Sequence, residues 1–168
     1  MNKEHKYSLT INWTGNLGKG TSGYQSYNRS HTISVEGKEK IFCSSDPAFR
    51  GDNTKHNPEE LFLASLSSCH MLWYLHLCAD AGIIVIDYID NATGILKEDT
   101  INGGRFISVT LHPLVKVINN SMIEKANALH DDANKQCFIA TPVIFLLSIF
   151  HYAPQQQKIN PIINKFNF

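Results

Sequence analysis

Residues 56–83, HNPEELFLASLSSCHMLWYLHLCADAGI, decide the fold, because they have the length and pattern of one long buried helix. Asn57 can cap this helix, and Pro58 suits its first position. Glu60 lies three residues after the cap, as a capping box requires. The segment therefore predicts a helix over residues 58–81 that ends before a glycine.

Strand patterns lie on both sides of this helix. Alternation of apolar and polar residues predicts strands within residues 7–13 and 31–42, before the helix. Residues 83–96 and 105–117 read as two further strands after it, joined by an NGG turn at residues 102–104. Links of hairpin length favour antiparallel pairing, so the predicted fold class is α+β.

A second helix is predicted near the end of the patterned region. Ser121 and Glu124 have the spacing of another capping box. An amphipathic pattern continues from there to about Lys135, and Cys137 lies just past its end. The second helix therefore brings a second cysteine into consideration.

The chain length of 168 residues fits one domain with a real core. We expect that domain to occupy residues 1–142. Residues 143–168 contain an apolar run and a Gln/Asn-rich end with no defined period. We therefore expect them to form an atypical tail that is disordered in part.

Charge and cysteine usage exclude several classes of protein. Lys+Arg and Asp+Glu both count 15, and no basic cluster is present, which argues against nucleic-acid binding. The start, MNKEHKYS, lacks an apolar signal region, so a cytoplasmic protein is expected. Four irregularly spaced cysteines without a CxxC argue against a disulfide framework or a zinc ribbon. Serines, histidines and an aspartate in the long apolar segment favour a core helix over a membrane span.

The histidines and cysteines of the long helix do not form a local site. His70 and His76 are six residues apart, a poor spacing for two ligands of one metal ion, so no metal site is expected. Cys78 lies nine residues after Cys69, half a revolution away, so the two thiols cannot act as a pair. On composition alone, Cys69 fits a buried core thiol.

The segment at residues 56–83 resembles the central motif of the OsmC/Ohr family of peroxide-reducing proteins. In that motif an NPE(E/Q)L helix start is followed by a cysteine ten residues after the first glutamate. The similarity covers roughly residues 7–142, including the stretch GKGTSG and the order of the two helices. The resemblance implies an OsmC-like α+β fold in which antiparallel sheets pack around a long buried central helix. It also implies an intertwined homodimer and no cofactor.

The resemblance assigns roles to four residues. Cys69 matches the peroxidatic cysteine and Cys137 the resolving cysteine, while Arg50 matches the active-site arginine and Glu59 the carboxylate that holds it. The implied activity reduces organic hydroperoxides to alcohols through a sulfenic acid and an intramolecular disulfide, in oxidative stress defence. A dithiol, of which a lipoyl group is one candidate, would restore the thiols. A guanidinium suits this chemistry because it favours the thiolate over a thiol whose pKa is ordinarily near 8.5.

Other interpretations of the same residues remain open. Glu59 fits an acid that complements the helix dipole, and Arg50 fits a solvated loop charge. The protein could also be a non-enzymatic module that binds a lipid-like or aromatic molecule in an apolar pocket. Four further side chains are predicted to be structural: Cys43, Cys78, and the core histidines His70 and His76.

The expected dimer has a geometric argument of its own. Glu59 and Cys69 are ten residues apart on one predicted helix, which separates them by about 15 Å. A glutamate and its arginine therefore cannot easily serve the cysteine of their own straight helix. We expect the site to be shared, with Arg50 and Glu59 of one subunit facing Cys69 and Cys137 of the other.

Overall fold

The structure, a computed structural model, describes residues 3–99, 103–140, 146–149 and 162–165. Two helices and nine strands make up the described part of the chain, together with short 3₁₀ turns at Pro47–Phe49 and Asn120–Met122. In chain order the elements are β1 Thr10–Trp13, β2 His31–Ser34, β3 Ile41–Cys43, α1 Pro58–Asp80, β4 Val85–Asp90, β5 Thr93–Asp99, β6 Gly103–Thr110, β7 Pro113–Val117, α2 Ile123–Gln136, β8 Leu146–Ile149 and β9 Ile162–Lys165.

The chain divides into two compact units. The first comprises residues 1–65 and 91–112, and the second comprises residues 66–90 and 113–168. In the first unit β1, β2 and β3 form an antiparallel sheet in that order, and β5 pairs with β6. In the second unit β4 pairs with β7 and β8 pairs with β9, both antiparallel. The α+β class with antiparallel sheets and two helices is therefore confirmed.

The ends of α1 form as the sequence predicts. The N–H of Glu60 donates to the side chain of Asn57 at 2.8 Å, and the N–H of Asn57 donates to the carboxylate of Glu60 at 3.2 Å. At the other end, the N–H of Ile83 donates to the carbonyl of Cys78 at 2.8 Å. Gly82 between them has φ +71°, the left-handed conformation that glycine adopts without strain. These local bonds fix both ends of the helix.

One stripe of α1 is buried within the single chain. His70, Tyr74 and Cys78 follow one another at intervals of four residues, so they share a face. On other faces the exposed fraction is 42% for Phe62 and 62% for Leu72. Much of the apolar surface of the helix is therefore left uncovered by the described part of the chain.

By its length and its mean hydropathy of 1.3, α1 could also cross a bilayer. It is the one helix in the described part of the chain that meets this criterion. The criterion is weak, because a core helix of this length and composition meets it as well.

A small cluster of buried side chains forms the core of the second unit. The clustered residues come from α1, from the turn after it and from α2: Tyr74, Cys78, Ile83, Ala126 and Ala133. Half-buried residues of β4 and β7, among them Val85 and Val115, pack against this cluster. The core therefore holds α1 and α2 against one strand pair.

The predicted capping box of the second helix is wrong. Ser121 does not cap α2; its N–H instead donates to the side chain of Asn119 at 3.1 Å. The residues after Asn119 form a 3₁₀ turn, and α2 begins at Ile123 without a side-chain cap. The asparagine satisfies a free N–H two residues on, so the chain turns earlier than the Ser121–Glu124 pattern indicates.

The two continuous strands predicted after α1 are each interrupted. The first becomes β4 and β5, and the second becomes β6 and β7. The two halves of the first predicted strand pair with different partners: Asp90 of β4 pairs with Pro113 of β7, whereas Thr93 of β5 pairs with Thr110 of β6. Pro113 has no N–H to donate, which makes this a natural place for a strand to begin rather than continue.

Three sequence predictions concern segment ends. The first strand, predicted over residues 7–13, begins at Thr10. The hairpin after β5 is confirmed by the pairing of Asp99 with Gly103. Of its predicted turn at residues 102–104, residue 102 lies outside the described residues, and Gly103 and Gly104 belong to β6. Of the tail, residues 143–168, the structure describes only the strands β8 and β9, so the rest of that prediction lies outside the described residues.

Candidate active site

The two cysteines singled out by the sequence lie side by side in the second unit. Cys69 is half-buried near the middle of α1, and Cys137 is 1% exposed at the C-terminal cap of α2. Both are free thiols, and their side chains share a hydrogen bond. Burial, followed by this hydrogen bond, raises the pKa of Cys137. The pair thus combines a more accessible sulfur with a buried thiol that stays protonated.

An aromatic contact flanks the thiol pair. Trp73 lies one helical turn after Cys69, and Phe138 directly follows Cys137. The two rings meet edge to face, with centroids 5.5 Å apart and planes at 85°. Phe138 is 72% exposed, so an apolar surface beside the thiols remains open to solvent.

Arg50 is an exposed loop residue of the first unit. It ends the 3₁₀ turn in a left-handed conformation, with φ 65° and ψ 30°, and its N–H donates to the carbonyl of Pro47 at 3.0 Å. No ion pair of its guanidinium occurs within the described part of the chain. Arg50 is therefore open to a partner rather than committed to one.

Glu59 lies in the first turn of α1, also in the first unit. The residue is half-buried, and its Oε2 atom is fully buried without a hydrogen-bond partner. A buried carboxylate oxygen that lacks a donor is costly, so this group is poised to accept a hydrogen bond. That property goes beyond what a dipole-complementing acid needs.

Arg29 is a second arginine with features suited to a site, and the sequence analysis did not single it out. Its guanidinium lies over the rings of Tyr24 and Tyr27, at 4.2 Å and 4.3 Å from their centroids. Nη1 donates to the carbonyl of Tyr27 at 2.8 Å, whereas Nη2 is buried without a partner. A half-buried guanidinium with one buried, free donor suits an anionic group. In the sequence, the signal for this arrangement was weak: two tyrosines within five residues of an arginine.

A histidine pair is the other feature that sequence reasoning missed. His70 Nε2 and His130 Nδ1 are 3.0 Å apart, and the two ring planes differ by only 5°. The phenol ring of Tyr74 stacks on His130, with centroids 4.0 Å apart. Burial is the main cause that lowers the pKa of both histidines. His130 was invisible beforehand because its partner lies 60 residues away.

Comparison with known families decides the identity of the fold. The family model described as OsmC-like protein matches residues 51–143, more than half of the chain. The chain belongs to the OsmC-like family. A comparison with curated proteins found no significant match.

Solved structures agree with this membership in the OsmC-like family. An OsmC-like protein of unknown function from Vibrio cholerae is 32% identical, with a TM-score of 0.74 over 83% of this chain and 94% of that chain. An organic hydroperoxide resistance protein from Legionella pneumophila is 20% identical, with a TM-score of 0.59 over 82% and 89%. One from Elizabethkingia anophelis is 20% identical, with a TM-score of 0.58 over 80% and 86%. The last two likenesses show the fold alone.

The remaining two cysteines of this OsmC-like chain are both buried. Cys43 is fully buried, and its thiol donates to the carbonyl of Ile41 at 3.8 Å. Cys78 lies in the core of the second unit, hydrogen-bonded to Tyr74. Burial raises the pKa of both thiols, which makes them poor nucleophiles at neutral pH.

The prediction of a core histidine holds for one of the two helix positions. His70 is 6% exposed and hydrogen-bonded, as predicted. The prediction is wrong for His76, whose side chain is 59% exposed and lies 3.5 Å from the carboxylate of Asp80. Among the residues that the structure describes, no group of three or more His, Cys, Asp or Glu could hold a metal ion.

Proposed function

We propose that this protein is a cysteine-based peroxidase that reduces organic hydroperoxides to alcohols in oxidative stress defence. The observation that carries the proposal is the hydrogen bond between the thiols of Cys69 and Cys137. Two thiols in contact can be oxidised to a disulfide without a large rearrangement. Membership in a family whose solved members include organic hydroperoxide resistance proteins supports the same activity.

The difference in burial between Cys69 and Cys137 supports one order for the steps. The thiolate of Cys69 attacks the outer oxygen of the hydroperoxide, which leaves a sulfenic acid on Cys69 and releases an alkoxide that takes up a proton. The thiol of Cys137 then attacks the sulfenic sulfur, and one water molecule leaves as the disulfide forms. An external dithiol donates two electrons and two protons to restore both thiols. Because Cys137 is buried and its pKa is raised, it suits the second step rather than the first.

A cation is needed where negative charge develops on the thiolate and on the departing alkoxide. Two arginines are candidates for this role, Arg50 by family resemblance and Arg29 by its buried free donor. Glu59 would hold the arginine, and its unpartnered buried oxygen supports that assignment. Removing one such charged donor typically slows a reaction by roughly 10²–10³-fold.

The aromatic pair next to the thiols bears on the choice of substrate. Trp73 and the exposed ring of Phe138 offer apolar surface beside Cys69 and Cys137. Burying the hydrocarbon tail of an organic hydroperoxide there contributes about 0.8 kcal/mol for each methylene group. Hydrogen peroxide has no tail and gains nothing from this surface.

We further propose that the active unit is a cytoplasmic homodimer in which Arg50 or Arg29, with Glu59, serves the cysteines of the partner. The uncovered apolar surface of α1, including Leu72 at 62% exposed, supports an interface on that helix. The separation of about 15 Å between Glu59 and Cys69 on one helix supports a site shared between subunits.

Peroxide consumption by the purified, reduced protein tests the function. With cumene hydroperoxide and dihydrolipoate or another dithiol, we expect turnover that Cys69→Ser abolishes. Cys78→Ala is the matched control, since it removes a thiol of the same helix that lies outside the pair, and turnover should persist. A wild-type protein that ignores hydroperoxide and carries a bound small molecule, detected by mass spectrometry, would instead favour the non-enzymatic binding module.

A further inference from the structure

Two polar contacts join α1 and α2 within the second unit. One is the thiol pair Cys69–Cys137, and the other is the imidazole pair His70–His130. His70 directly follows Cys69 in α1. His130 lies seven residues, or about two helical turns, before Cys137 in α2. The same two helices are therefore connected at two points.

On the face of α2 that carries these contacts, the other buried residues are small, and half-buried Leu129 packs beside them. Ala126, His130, Ala133 and Cys137 follow one another at intervals of four, three and four residues, so they share one face. Both alanines are buried, at 3% and 0% exposed. Methyl contacts stabilise the packing but are not directional, so they resist sliding or rotation of α2 only weakly. A hydrogen bond depends on both distance and angle, and therefore can fix the register.

The imidazole pair is itself held firmly. The ring planes are parallel, and the centroids are 5.3 Å apart while Nε2 of His70 and Nδ1 of His130 are 3.0 Å apart, so the rings meet end to end with the hydrogen bond in their plane. Tyr74, which is fully buried, stacks on the face of His130. The ring of His130 is thus fixed both at its edge and on one face.

The direction of the hydrogen bond follows from the other nitrogen of His70. Nδ1 of His70 is buried without a partner. An unpaired acceptor is tolerated inside a protein more often than an unpaired N–H. His70 therefore carries its proton on Nε2 and donates it to Nδ1 of His130.

We propose that the His70–His130 hydrogen bond is a positioning contact that holds α2 on α1 in the register at which the thiols of Cys69 and Cys137 meet. Its effect is to favour the disulfide between them. The use of this disulfide in turnover rests on the proposed function, whereas its formation can be measured without any peroxide.

Equilibration of the reduced full-length protein with glutathione tests the proposal. In this exchange the two protein thiols lose two electrons and two protons to oxidised glutathione, which yields two molecules of reduced glutathione and the Cys69–Cys137 disulfide. His70→Leu removes the donor, whereas His70→Gln keeps an N–H near the position of Nε2. His76→Leu is the control, since it changes an exposed histidine of the same helix.

The expected result is a difference between the two His70 variants. His70→Leu should lower the equilibrium constant for disulfide formation by roughly three- to tenfold, the range that loss of one hydrogen bond implies. His70→Gln and His76→Leu should keep the wild-type constant. Peptide mapping identifies the disulfide that forms, and thermal unfolding confirms that each variant is folded.

Equal constants for His70→Leu and His70→Gln would overturn the proposal, as would a wild-type protein that forms no Cys69–Cys137 disulfide. If His70→Leu does not fold, His130→Phe is compared with His130→Asn, since phenylalanine retains a ring on Tyr74 but offers no acceptor. Equal constants for that pair overturn the proposal in the same way. A wild-type protein that forms the disulfide but consumes no hydroperoxide contradicts the proposed function alone.

Discussion

The imidazole of His130 lies face to face with the phenol ring of Tyr74, with centroids 4.0 Å apart and planes within 9° of each other. Tyr74 is fully buried in the core of the second unit. Its ring therefore joins α1 to α2 at the same level as the histidine pair.

Truncation of this ring should be among the most destabilising changes in the second unit. Tyr74→Ala should lower the free energy of unfolding by about 3–5 kcal/mol, the usual cost of removing a buried aromatic ring. Tyr74→Phe keeps the ring and loses only the hydroxyl bonded to Cys78, so it should cost about 0.5–1.5 kcal/mol. Urea unfolding measures both values, and a similar loss in the two variants would contradict the packing role.

The histidine pair should make stability depend on pH. Burial lowers the pKa of His70 and His130 below the ordinary histidine value of about 6.5, so below pH 6.5 the unfolded chain binds more protons than the folded one. The free energy of unfolding should therefore fall as pH drops below about 6.5, and level off below the lowered folded pKa values. Urea unfolding at a series of pH values measures this.

Two charged groups nearby oppose part of the effect. Asp90 raises the pKa of His70, and Asp131 raises that of His130, but in each case burial is the larger cause. The double variant His70→Gln/His130→Asn removes both titrating rings and should flatten the pH dependence between pH 5 and 7. A slope that is unchanged in this variant would assign the effect to other groups.

The two thiols of the candidate pair should differ in alkylation rate. Iodoacetamide near neutral pH should modify Cys69 before Cys137, because Cys137 is almost fully buried and burial raises its pKa. Mass spectrometry of peptides after short exposures gives the order. Cys137 should also remain slow in a Cys69→Ser chain, since burial is retained; faster labelling of Cys137 than of Cys69 would reverse the proposed roles.

Separate substitutions of the two arginines identify the one that serves the reaction. Changing the arginine that contacts the reacting atoms to alanine should lower kcat by roughly 10²–10³-fold. The alanine variant of the other arginine should keep a kcat close to that of the wild type. Arg29→Lys and Arg50→Lys keep the charge but not the bidentate geometry, and so separate charge from hydrogen bonding. Wild-type kinetics in both alanine variants would show that neither arginine takes part.

Mixed dimers test the shared site. Cys69→Ser chains and Glu59→Gln chains, each impaired alone, should regain activity when mixed, because one of the two composite sites in a heterodimer has all its parts. Tagged purification isolates the heterodimer, and sedimentation confirms its mass. Cys69→Ser mixed with itself is the control. An active monomer, or an isolated heterodimer without regained activity, would contradict the shared site.

Local signals in the sequence predicted the central helix well. Asn57, Glu60 and Gly82 act on backbone groups within a few residues, so their effect can be read directly from the chain. The error at Ser121 has the same local origin, since Asn119, two residues earlier, accepts the hydrogen bond from the N–H of Ser121. Local rules therefore predict the presence of a helix more accurately than they predict the residue at which it begins.

Contacts between distant segments explain the rest of the differences. Spacing alone could not bring Cys69 and Cys137 together; only the family resemblance suggested the pair. The hydrogen bond of His70 was undetectable because His130 is distant in the chain. The buried free donor of Arg29 likewise depends on how two tyrosine rings cover it.

The position of Cys137 at the end of α2 should make its oxidation detectable through the fluorescence of Trp73. Cys69 is fixed inside a helix, whereas Cys137 has an extended backbone, with φ −68° and ψ 110°, where the chain can swing without unwinding a turn. Closing a disulfide should therefore shift Phe138, which follows Cys137, relative to the indole ring of Trp73 that it already contacts. Because indole emission responds to its surroundings, Trp73 fluorescence should follow each oxidation and reduction in real time, with no added label.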